Sequence, residues 1–343
     1  MIFLKKLILT TCILAAILLR PEESVAGGQR AMLLWCASVA PSLFPFLALM
    51  PVLTGGEACR AYRRVFAGVM GKLFGLPGDA APAVVIGMVA GSPGGAIAVR
   101  RIAGEAGMSR NDAQRLALSI CGLSPAYLVL GVGHGIYGSA ALGWKLAGIQ
   151  LAIQLGLLIA LRKARFAEDE ACAPQMEAAG SGMRGAVESV LVICGYMVLF
   201  GAVSNVAASF LGRIPGAMLL LALDLPGGLG ALPALGMAAE IPMACAAIGF
   251  GGLCIAAQNL DILREIGVRA REYLCIRGIS AGMFAALGAL LVRNGSNAGA
   301  GMLNARQAYT FSLLFASIFA LPGLFFLSKN LFLNKTKFAG KTS

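Results

Sequence analysis

The stretch Ala83-Val84-Val85-Ile86-Gly87-Met88-Val89-Ala90, followed by Gly91-Ser92-Pro93-Gly94-Gly95 and a return segment ending at Arg100-Arg101, decides the fold. The apolar run is far shorter than the roughly 20 residues a membrane-crossing helix needs. The five residues after it interrupt a helix: Pro93 has no backbone N–H and disfavours helix at the residue before it. An apolar run that stops, turns and comes back describes a re-entrant hairpin. Such irregular backbone survives at membrane depth only where it is buried in protein or lines a cavity.

Outward from this stretch, the same order recurs in the second half. An apolar run to Leu223 meets Asp224-Leu225-Pro226-Gly227-Gly228, and a return segment follows to Ala239. In each half a broken span comes next, interrupted at Gly122-Leu123-Ser124-Pro125 and at Gly252-Leu253-Cys254. The interval from Pro-Gly-Gly to Gly-Leu is similar in both, Pro93 to Gly122 and Pro226 to Gly252. Two motifs in one order make an internal repeat.

The remaining apolar stretches complete the scheme. Residues 7–19 behind Lys5 and Lys6 resemble a signal sequence, but Arg20, Pro21, Glu22 and Glu23 follow instead of a small-residue cleavage site, so an uncleaved signal-anchor is expected. Segment 31–54 is a proline-bent span, and 57–76, with Arg60, Arg63, Arg64 and Lys72, reads as an interfacial helix. Spans are expected at 115–132, 138–161, 185–211, 273–292 and 308–327. The expected architecture is an all-α polytopic membrane protein with about eight transmembrane helices and two repeats, each holding a re-entrant hairpin and a broken helix. Its parts are the anchor (1–30), the first repeat (31–162), a cytoplasmic linker (163–184), the second repeat (185–293), and a C-terminal helix with a basic tail (294–343). Three crossings per half, an odd number, turn the second repeat upside down relative to the first.

Composition agrees and excludes much else. Of 343 residues, 58% are hydrophobic and 13% charged, against roughly 25% charged in soluble domains. The 45 glycines suit helices that pack closely in lipid. The net charge of +12 sits in short clusters between spans rather than on one soluble face, which argues for topology and against nucleic acid. With both termini in the cytoplasm, most Lys and Arg fall in inside segments, as the positive-inside rule requires. The nine cysteines are scattered without a CxxC pair and read as small core residues. The single histidine, His134, lies in a glycine-rich turn, so no metal or other cofactor is expected.

Segments 190–200 (VLVICGYMVLF), 249–258 (GFGGLCIAAQ) and 267–286, with Gly91 to Gly95 ahead of Arg100, resemble the YlbJ-type sporulation integral membrane proteins. The resemblance spans about residues 30 to 293. It implies membership of the nucleoside-recognition or Gate domain group, and movement of dipicolinate across the outer forespore membrane of an endospore-forming bacterium. The chain departs from the expected pattern at Ser92, where an aromatic residue is expected, at Asp224, where glutamate is expected, and at Ala257. These departures bear on substrate more than on fold.

Chemistry is expected where helices break. Gly94, Gly95, Gly227 and Gly228 open return half-helices and offer bare N–H groups to a carboxylate, or else serve tight packing. Ser92 and Ser124 stand at the first tip and the first break. Lys145 and Arg277 lie inside spans, where a charge costs about 2.5 to 3.5 kcal/mol, so each either serves a site or snorkels to the headgroups. Asp224 binds a cation, accepts a proton or caps the following half-helix. Gln258 and Asn259 bond a polar substrate or satisfy the broken backbone. Expected partners are the lipid bilayer and a small anionic solute, with a homo-oligomer left open. The leading expectation is a carrier or gated channel for a small carboxylate. The alternatives are a nucleoside-like solute or ion permease, and a non-transporting scaffold of spore morphogenesis. No paired carboxylates, activated nucleophile or phosphate loop suggests an enzyme.

Overall fold

The computed structural model describes residues 2–168, 170–172, 182–236 and 240–294, and every described element is helical apart from one isolated backbone bridge. Helix α1 (Ile2–Leu19) ends at Arg20. Pro21 then opens α2 (Pro21–Thr54), since its missing N–H costs nothing in a first turn. This helix starts ten residues before the expected span, inside the region assigned to the anchor. Pro45 and Pro51 lie inside it without ending it. Helix α3 (Gly56–Phe74) occupies the stretch expected at the interface, and it meets the helical run Gly78–Ala90 at 97°. Its Cys59, Met70 and Phe74 are buried, Val65, Val69 and Leu73 are exposed, and Arg63 pairs with the buried Asp79.

The first hairpin is present. Helix α4 (Ala81–Ala90) and α5 (Gly94–Glu105) pack against each other around a turn at Gly91, Ser92 and Pro93. Gly91 has φ +66°, a conformation that a side chain penalises. Helix α6 (Arg110–Ile120) starts at Ser109, whose Oγ accepts from Asp112 N. The chain breaks at 121–124 and continues as α7 (Tyr127–Ile136), wound in the wider π form, which places His134 inside a helix rather than in a turn. Helix α8 (Ala140–Ala160) is capped by Ser139, whose Oγ accepts from Leu142 N. Phe166, Glu170 and Cys172 of the expected linker dock beside the α5–α6 turn: Phe166 N donates to Asn111 Oδ1, Arg110 N to Glu170 O and Cys172 N to Met108 O.

The second half runs α9 (Met183–Ser209), α10 (Arg213–Leu223), α11 (Leu225–Ala231), α12 (Glu240–Phe250), α13 (Gly252–Leu263) and α14 (Ala270–Asn294). Two expected breaks move. The second hairpin turns at Asp224 alone, because Pro226 fits the first turn of α11 and so continues the helix instead of stopping it. Its return helix is only seven residues long. The second span breaks at Gly251 and Gly252, with φ +89° and +76°, while Leu253 and Cys254 are helical.

Small residues set the packing. Ala96, Ala98, Ala103, Ala113 and Ala117 are fully buried around α5 and α6, and α12 lies so close to α14 that a Cβ on Gly249 would collide with Ser280 O and Ala281. Cys59, Cys121, Cys172, Cys245 and Cys254 are buried as expected of small core residues, whereas Cys12 and Cys36 are exposed.

Among the described residues, five helices are long and apolar enough to cross a membrane: Pro21–Thr54, Ala140–Lys163, Met183–Ser209, Glu240–Ile266 and Ala270–Leu290, or six spans if the bent pair around Pro77 is one. The expected span 115–132 falls on α6, a break and α7, and is not among these candidate spans. In the anchor, the apolar stretch Thr10–Leu19 lies within α1, and the expected span 308–327 lies outside the described residues.

Packing of the hairpin generates a test. A Cβ on Gly95 would press on the Gly87 backbone of α4, while Gly156 has open space around it. Gly95→Val is expected to cost about 1–3 kcal/mol through overpacking. Gly156→Val should change the thermal midpoint of the purified protein far less. Equal midpoints for the two variants would show that the hairpin is not packed this way.

Candidate functional site

Each hairpin tip sits against the broken helix that follows it. At the first, Ser92 N donates to Gly122 O at 2.7 Å, and Gly91 is so close to Ser124 that a Cβ there would collide with its backbone. At the second, a Cβ on Gly252 would lie 3.2 Å from Leu225 Cβ and 3.4 Å from Leu225 N.

Arg277, on α14, joins the two arrangements. It is 2% exposed, and its guanidinium donates to Cys121 O at 2.6 Å, to Phe250 O at 3.2 Å and to Gly249 O. These are carbonyls at the ends of α6 and α12, where unpaired C=O groups and the negative ends of two helix dipoles converge. The buried positive charge is compensated by backbone rather than by a carboxylate. Arg277 therefore neither snorkels nor stands free to grip a substrate with its whole fork.

A second group of side chains crosses between the halves beside it. Asn259 Nδ2 donates to Ser92 Oγ at 3.1 Å and to Tyr273 OH at 2.6 Å. From α8, Gln154 Nε2 donates to Ile120 O at 2.8 Å, and Gln150 and Gln154 together crowd Gly122. Both glutamines are 1% exposed, and Gln150 Oε1, Gln154 Oε1 and Asn259 Oδ1 are buried with no hydrogen-bond partner among the described residues. A buried acceptor left unmade costs about 1–3 kcal/mol, which calls for a donor such as water or solute.

Other expected site residues are placed differently. Ser124 spends its Oγ on capping, accepting from Tyr127 N at 3.2 Å. Gln258 Nε2 bonds back to Cys254 Sγ at 3.3 Å, one turn earlier. Lys145 is exposed beside the exposed Trp144, away from the breaks. Gly94 and Gly95 are buried against α4, and Gly228 against Leu221 of α10, so packing occupies the faces expected to be bare. Asp224 is 7% exposed and stands at the N-cap position of α11, its carboxylate close over Gly227 and facing the Arg30 guanidinium. Sequence reasoning missed Gln150, Gln154, Tyr273 and Arg30. The two glutamines carried a signal, four residues apart in an apolar span.

Arg277→Met should leave three buried carbonyls unpaired and so destabilise the fold by several times the about 1–3 kcal/mol of one lost partner. The readout is the thermal midpoint in detergent together with recovery of monodisperse protein. Normal stability in that variant would return Arg277 to the role of a substrate ligand.

No family model matches the chain, and no solved structure matches it. Among curated proteins it is similar to the sporulation integral membrane protein YlbJ of Bacillus subtilis (strain 168), 25% identical over 334 aligned residues. The alignment covers 81% of this chain and 79% of that protein. The likeness thus takes in both hairpins, and with five apolar helices among the described residues it supports an integral membrane protein, similar to the YlbJ-type sporulation proteins along most of its length.

Proposed function

We propose that the chain moves a small carboxylate, dipicolinate in the first instance, across the outer forespore membrane, along a path between the two hairpin tips. The observation that carries this reading is that both tips and both helix breaks meet around Arg277. Helix ends are expensive to bury, so a protein that needed only to scaffold a partner has no reason to bring four of them together. Orphaned oxygens of Gln150, Gln154 and Asn259 beside the first break favour a hydrated path over a dry core.

In this reading the halves are inverted repeats. The order hairpin, broken helix, closing helix is common to α4–α8 and α10–α14. The first tip is tied to its own break by a backbone hydrogen bond and the second lies in close contact with its own, whereas the halves meet largely through side chains: Arg277, Asn259, Gln114 to Ile266 O, and the Arg100–Glu265 pair at 3.0 Å. Two bodies joined this way can rock against each other around a central site, the usual solution in transporters built from repeats. The likeness to YlbJ supports the sporulation setting.

The test is uptake of labelled dipicolinate into proteoliposomes holding the full chain, with uridine and ferrous iron as alternative solutes. Saturable dipicolinate uptake above empty liposomes is expected, with neither alternative carried. Uptake of uridine or iron alone would replace the carboxylate reading, and no uptake of any of the three would remove transport.

A further inference from the structure

Arg30 is an exposed cation whose backbone lies within a membrane span. Helix α2 runs alongside α9 in the opposite direction, and three contacts fix their levels. The Arg20 guanidinium lies 5.2 Å from the Phe210 ring, Asn205 Nδ2 donates to Glu23 O at 2.8 Å, and Gly27 meets the backbone of Gly201. The Cα of Arg30 lies ten residues beyond Arg20, about 15 Å further along the helix, and its guanidinium reaches back to Asn205, level with Glu23 and four residues from the end of the 27-residue α9. Asp224 reaches a similar depth by another route, following the 11-residue α10. Gln29 and Arg30 are nonetheless exposed.

A charge exposed at such depth faces lipid or water, and lipid is the costly choice. The neighbours argue for water. Arg30 NH2 donates to the neutral Asn205 Oδ1 at 3.2 Å and makes no ion pair among the described residues. Asn205 in turn donates to Glu23 Oε2 at 3.1 Å, so a run of polar groups leads from the end of α9 inward. At its inner end Asp224 faces Arg30 across Gly227 without reaching ion-pair distance, with Tyr127 of α7 and Cys254 of α13 as its other titratable neighbours.

We infer that Arg30 is the cation that receives the solute's carboxylate, in a vestibule over the second hairpin tip, and that Asp224 is the charge that solute competes against. The inference rests on the carboxylate-transport reading and names its ligand. A guanidinium presents five donors in a planar fork that fits a carboxylate bidentately, and only one bond is committed here. Arg277, spent on three carbonyls, lacks that freedom. Binding at Arg30 places the anion beside the hairpin turn, where a change in the balance between solute and Asp224 acts directly on the tip.

Binding of dipicolinate to the purified full chain in nanodiscs, measured by calorimetry, tests this apart from transport. Arg30→Gln should weaken binding by roughly tenfold or more, with Arg30→Lys between it and the parent. Asp224→Asn keeps the side-chain shape over Gly227 and removes the competing charge, so it should tighten binding several-fold, a gain that misfolding cannot mimic. Parent-like binding by Arg30→Gln, or unchanged or weaker binding by Asp224→Asn, overturns the assignment while leaving carboxylate transport standing. A parent protein that binds no dipicolinate overturns both.

Discussion

A buried guanidinium bonded to three carbonyls is the interaction on which the centre of this protein depends. Helices α6 and α12 end inside the molecule, and each ending leaves C=O groups with no intrahelical partner. Arg277 meets Cys121 O, Gly249 O and Phe250 O at once. Its charge is stabilised by the negative ends of two helix dipoles, and the dipoles are neutralised by its charge. Neither helix end tolerates burial without it, and an arginine is unstable in such a place without them.

The same device appears again at the protein's edge. Arg115 on α6, 8% exposed, donates to Phe74 O at 3.1 Å and Gly75 O at 2.6 Å, the last carbonyls of α3, while pairing with Asp112. Gln154 does for Ile120 O with a neutral amide what arginine does elsewhere. Interrupted helices thus have a common requirement, a donor carried in from a neighbouring helix. That requirement accounts for several polar residues that would otherwise look out of place in apolar spans.

The hairpins were legible because their signal is local. A proline and two glycines after a run too short to cross act within a few residues, and α4, α5 and the break at 121–124 fall where those residues put them. Where local rules have two outcomes the reading failed. Pro226 ends a helix or begins one, and only the position of Asp224 as the turn residue decides for α11. Partnership was not legible at all. Arg277 and Lys145 look alike in sequence, each a cation within an apolar span, yet one is locked to three carbonyls and the other is exposed. What separates them is the nearness of residues 121 and 249, more than a hundred positions from one another. Arg30 was passed over for the opposite reason, because it borders an apolar run and reads as a flank until α9 fixes its depth.

The two tips are unequal, and the inequality has a direction. The first turn spans three residues and leads into a 12-residue helix whose first turn is buried against α4. The second turns on Asp224 alone and leads into seven α-helical residues followed by a tighter turn to Leu235, too few to hold a helix in isolation. Helix α11 is held by its packing instead, with Leu225, Leu229 and Leu232 at 1%, 0% and 1% exposure. The first tip is also tied by Ser92 N to Gly122 O and by Asn259 to Ser92 Oγ, whereas the second meets its break through a van der Waals contact at Gly252. Fewer directional bonds and a shorter helix leave the second tip with less to lose on displacement. Its one charged residue, Asp224, faces the exposed Arg30, so the tip that is more weakly held is also the one that an arriving anion addresses.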